Sequence, residues 1–144
     1  MSHRYFIKTS ELKSLVNPLD GDMWKCKEIT VNEVLEAISN GAKEERSWAD
    51  VINTLDEQAS RQFHINRIAT LHDQEFSNEN HPVAIYIIFP DPDYPSFELE
   101  VKISDGNHRI AAAYVREDEE LELVIAASDS SKISSVLPSA KNIV

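Results

Sequence analysis

The chain reads as an α+β protein: a helical N-terminal half, followed by a small mixed sheet with helices. Three observations predict this. Apolar residues after Thr30 recur at helical spacing, residues 83–89 form a run of β-branched and aromatic residues bounded by prolines, and residues 97–103 alternate apolar with charged side chains. The period changes from that of a helix to that of a strand about halfway along the chain.

Taken in order, residues 6–12 fit an opening strand and turn. Thr30 and Glu33 form a capping-box pair, Val31, Val34, Leu35 and Ile38 share one helical face, and Asn40-Gly41 stops the helix. Ser47 precedes a second amphipathic segment, where Trp48, Val51, Ile52 and Leu55 fall on one side. Residues 63–71 predict a third helix, and the aromatic residues here, Trp48 included, read as core. The run at 83–89, set between His81-Pro82 and Pro90, predicts a buried strand. Residues 90–95 hold three prolines and must form a loop. The alternating segment at 97–103 predicts a half-exposed strand that delivers Asp105-Gly106 at its end. A helix from Asn107 to about Val115 and a strand at 121–126 follow. The serine-rich end, 128–144, is expected to be a partly mobile tail. There is no internal repeat, and 144 residues suit a single domain spanning 1–144.

The chemistry concentrates at residues 105–109, Asp-Gly-Asn-His-Arg, which run straight into Ile110 and three alanines. The chain has only three glycines, so Gly106 marks a backbone requirement rather than loop filler. The opening N–H groups of the following helix lack intrahelical partners and, with the helix dipole, favour an anion. Arg109 adds a planar fork of donors suited to phosphate oxygens, and Asn107 and His108 add further hydrogen-bonding groups. Ordinary turn chemistry, with Asp105 as a helix cap, is the competing reading. On the preceding helix, Arg67 is the second phosphate-binding candidate, and His64, close to one turn earlier, faces the same side.

The segment 105–113 resembles the signature of the ParB/sulfiredoxin-like superfamily, in which a Gly-x-His-Arg type turn opens a helix and binds nucleotide phosphates. Residues 64–71 and the Pro-led strand from His81 onward are similar to the elements that precede this turn in small ParB-like proteins. The resemblance spans about residues 60–127 and is carried mainly by the turn. It implies a ParB/sulfiredoxin-like fold and binding of a nucleoside triphosphate, ATP or CTP, with magnesium. Gly106, Asn107, His108, Arg109 and Arg67 would hold the nucleotide; Asp105 would be the metal ligand or base, and His108 a second catalytic candidate. The superfamily includes ATP-dependent small-molecule kinases and nuclease-like proteins, so phosphotransfer and NTP hydrolysis are both implied. Sulfiredoxins carry a catalytic cysteine in this turn. Here Asn107 stands there and the sole cysteine is Cys26, which argues against sulfinic acid reduction. Partition proteins add a helix-turn-helix region, for which the residues after 127 leave no room.

Composition narrows the classes further. A net charge of −11 makes duplex DNA a poor partner for the chain alone, because affinity for nucleic acid rests on basic residues neutralising phosphates. The same charge supports an alternative function, a non-enzymatic acidic module that engages a basic protein; a nuclease or DNA-partition role is the other alternative. The acidic run Glu117-Asp118-Glu119-Glu120 reads as a solvated turn. No signal-peptide pattern and no apolar run of membrane length are present, so a cytoplasmic protein is expected. One cysteine and unpaired histidine spacing argue against a structural metal.

Overall fold

The computed structural model describes residues 2–72, 83–93 and 98–143. The protein is a mixed α+β structure, and among these residues it has six helices and a five-stranded open mixed sheet. The strands are β1 (Ser2–Lys8), β2 (Ala84–Ile88), β3 (Glu100–Asp105), β4 (Glu120–Ala127) and β5 (Lys141–Asn142). The helices are α1 (Thr9–Leu15), α2 (Val31–Ser39), α3 (Trp48–Val51), α4 (Glu57–His72), α5 (Asn107–Arg116) and α6 (Ile133–Val136). The chain divides into two compact units, each assembled from segments distant in sequence.

The sheet unit comprises the described residues of Met1–Asn17, Ser77–Asn107 and Glu117–Val144. Its strand order is β3-β2-β4-β1-β5; β2 and β4 run parallel and every other pair is antiparallel. Strand alternation sends Ile7, Ile85, Ile87, Leu121, Leu123 and Ile125 to one face, where each is at most 1% exposed. Phe6 and Tyr86 sit at alternate positions on the opposite, open face. The serine-rich end is tied into this unit. Ile133 and Leu137 are buried, β5 pairs with β1, and the Ser139 hydroxyl donates to Glu11 Oε1 and accepts from the Lys8 N–H.

The helical unit comprises the described residues of Pro18–Phe76 and His108–Arg116. The capping box forms as the sequence predicts: Thr30 accepts from the Glu33 N–H and Glu33 accepts from the Thr30 N–H. Gly41, at φ +70°, follows the helix. Arg61 of α4 fixes the start of α2, reaching Glu33 with two hydrogen bonds of 2.6 and 2.7 Å and donating to the Glu28 carbonyl. That pairing, a guanidinium fork on a carboxylate, draws the Glu33 pKa down to about 2. At the far end of α4, Arg116 donates to the Leu71 and His72 carbonyls.

Element boundaries differ from the sequence reading in several places; the opening strand and turn expected over 6–12 is β1, ending at Lys8, followed from Thr9 by helix α1. The segment expected as one amphipathic helix over 47–55 is a single turn, α3, after which Thr54 bonds back to the Val51 carbonyl. The third helix is longer than expected and starts at Glu57. The Asp56 carboxylate accepts from the Ala59 N–H, a side-chain cap that the apolar pattern alone does not register. Strand β3 starts at Glu100, leaving Glu98 and Leu99 outside it, and runs on to Asp105 rather than stopping at Ile103. The expected positions of His81, Pro82, Pro95 and Phe97 lie outside the described residues. The acidic run forms a turn, with Glu117 at φ +60° and Glu120 already the first residue of β4.

Candidate functional site

Strand β3 ends at Asp105 and α5 begins at Asn107, so Gly106 alone makes the turn between them. Its φ is +92°, and a Cβ placed there would lie 2.7 Å from Val83 Cγ2. Both facts demand glycine. Having no side chain, Gly106 cannot cap α5, and the first turn of that helix holds no acidic residue. Its opening N–H groups therefore meet no adjacent carboxylate within the helix, the arrangement that suits an anion. Ile110 through Val115 are all buried, which fixes the direction of the helix and of its opening turn.

The side chains around this turn divide into two groups. Asp105 is exposed and Arg109 half-buried. Asn107 has its Oδ1 buried without a hydrogen-bond partner among the described residues, so that oxygen is withheld from solvent. His108 turns into the helical unit. Its Nε2 lies 2.8 Å from Nδ1 of His64, a hydrogen bond in which one of the two rings donates.

Aromatic rings enclose this histidine pair. The Trp24 indole stacks on both imidazoles, with centroids 4.2 Å from His64 and 4.8 Å from His108 and planes inclined by 12° in each case. Trp48 packs on His64 with centroids 4.4 Å apart, and Phe63 meets the same ring in a T-shaped contact. His64 is fully buried, and its Nε2 has no partner among the described residues. Burial drives its pKa down to about 4. For His108 burial acts together with the neighbouring His64 and the Arg67 guanidinium, and the pKa falls to about 3. Both rings are neutral at pH 7.

The sequence placed His64, Arg67 and His108 on one side of a prospective site, and the helical unit does bring them together. Arg67 also donates to the Glu44 carbonyl at 2.9 Å, which steadies its guanidinium in the same neighbourhood. Asp105 belongs to the sheet unit and Arg67 to the helical unit. The residue that sequence reasoning missed is Trp24, which stacks on both histidines from a short 3-10 turn (Asp22–Trp24). Gly21, at φ +84° in front of that turn, is the available signal: a Cβ there would lie 2.3 Å from the Cys26 carbonyl oxygen. No family model, curated protein or solved structure matches the chain.

Proposed function

We propose that the protein binds a nucleoside triphosphate through its phosphates at the opening turn of α5, in the manner that the resemblance to ParB/sulfiredoxin-like proteins implies. The observation that carries this reading is the strand–glycine–helix turn. Gly106 is held at a φ that only glycine adopts readily, and the first turn of the helix it opens carries Arg109 and no carboxylate. Arg67, near enough to His108 to help suppress its protonation, supplies a second cationic group. His108 itself is a positioning residue in this reading. Its ring is committed to His64, and a neutral imidazole contributes no charge to phosphate.

A magnesium ion would arrive with the nucleotide. Among the described residues no three His, Cys, Asp or Glu side chains are grouped to hold a metal. Asp105 is the carboxylate available beside the turn, and a single carboxylate with phosphate oxygens and water is an ordinary magnesium environment. The chemistry favours binding over phosphoryl transfer by His108, because a base with a pKa of about 3 is too weak to take a substrate proton at pH 7.

Calorimetric titration with ATP, CTP and GTP in magnesium tests the proposal. Arg109→Ala is expected to weaken the preferred nucleotide by roughly one to two decades, the scale of a lost charge-assisted contact. Absence of binding by the unaltered protein, or equal affinity in the variant, would overturn it.

A further inference from the structure

Beside the histidine cluster lies a cavity of about 520 Å³, wholly within the helical unit. It is lined by Trp24 and Trp48, the only tryptophans of the chain, with Met23, Ile52, Lys25 and the two carboxylates Asp56 and Glu57. Met23 and Ile52 are 40% and 47% exposed, so the rim carries apolar surface open to solvent. Lys25, at φ +54°, shapes the rim with a backbone conformation uncommon for a residue bearing a Cβ. The cavity is an open depression, and its aromatic lining with a few polar groups has the chemistry of a site for a flat ring.

Trp24 connects this cavity to His108 of α5. The same indole that lines the cavity stacks on His108, one residue before Arg109. A ligand with a flat ring in the cavity and an anionic tail directed along Trp24 therefore runs towards His108 and towards Arg67, whose charge acts on that histidine. From this geometry we infer that the Trp24–Trp48 cavity is the nucleobase pocket of the bound nucleotide. The inference rests on the phosphate-binding reading above and assigns the other end of the same ligand. Stacking recognises any base through its π face, so the pocket contributes affinity more than base selection. The fully buried ring of His64 and the half-buried ring of His108 stack on Trp24 and hold it in place.

The test compares ATP, tripolyphosphate and adenosine, each with magnesium, by calorimetry and by quenching of intrinsic tryptophan emission. Both fluorophores line the proposed pocket, so quenching reports on it directly. ATP is expected to quench and to bind about tenfold or more tightly than tripolyphosphate, the scale of one stacked base. Trp48→Ala should remove most of that advantage and leave tripolyphosphate affinity unchanged. Because Trp48 also packs on Phe63 and His64, Ile52→Ser at the exposed rim is the second variant, and it should reduce the advantage without disturbing the core. Equal affinities for ATP and tripolyphosphate, or an ATP advantage untouched in both variants, would overturn the pocket while leaving phosphate binding intact. Adenosine binding with quenching, and no binding of tripolyphosphate, would keep the pocket and overturn the phosphate site. Binding of none of the three would overturn both.

Discussion

His64 and His108 meet as two neutral rings in a shell of tryptophan and phenylalanine, and that condition has a cost in acid. In the unfolded chain each titrates near the ordinary value of about 6.5, whereas in the folded protein the values fall to about 4 and about 3. Below pH 6.5 the unfolded chain takes up protons that the folded chain refuses, so stability is fully present above that pH and declines as pH falls towards 4. Each histidine contributes a slope of up to about 1.4 kcal/mol per pH unit. Urea unfolding at a series of pH values from neutral down to 4 should show this decline, and His108→Gln should show a shallower one. An identical slope in that variant would mean that the pair is not what titrates. This pair was half legible in the sequence. Spacing along α4 put His64 and Arg67 on one side, but Trp24 lies in a 3-10 turn with no periodicity to advertise it.

Helix α2 shows where local chemistry is legible, because the Thr30–Glu33 capping box at its start is written in the sequence, although the Arg61 bonds that brace it are not. Thr30→Ala should lower stability by about 0.5–2 kcal/mol, the usual range for a lost N-cap, measured by denaturant unfolding. Helix α3 shows the opposite case. Trp48, Val51, Ile52 and Leu55 keep a helical period, yet the helix lasts one turn, because Asp56 recruits the chain into a new cap for α4 and leaves Ile52 exposed. A hydrophobic period reports which residues could share a face, not which backbone hydrogen bonds win. The β3–α5 junction was legible for a third reason, the scarcity of glycine. Gly106→Ala must accommodate both a φ of +92° and a Cβ 2.7 Å from Val83 Cγ2. A loss of about 1–3 kcal/mol is expected for such strain. Nucleotide affinity should fall with it, as it should in Arg109→Ala. If the alanine variant at 106 keeps full stability, the strained turn is not a requirement of the fold.

At the scale of the whole chain, order in sequence and membership of a compact unit diverge. The second half reads as strands around one helix, yet residues 108–116 of α5 group with the helices of the first half, while β1 and α1 from the N-terminus group with the later strands. Such long-range partitioning follows from which apolar faces find one another, and local patterns do not encode it. Charge, by contrast, is a property of the composition and needs no fold to be read. A net charge of −11 opposes any extended polyanion, and two arginines of the helical unit are already paired with carboxylates: Arg61 with Glu33 and Arg46 with Glu44. A nucleotide differs from duplex DNA in presenting a short cluster of charge that a single turn can hold, with magnesium offsetting part of it. The protein is therefore expected to bind nucleotide but not duplex DNA at about 0.15 M salt, where the screening length is about 8 Å and only close contacts count. Fluorescence anisotropy with labelled duplexes measures this. Submicromolar binding at that salt would place a basic surface where none follows from the charge balance, and would favour the partition or nuclease reading over nucleotide binding alone.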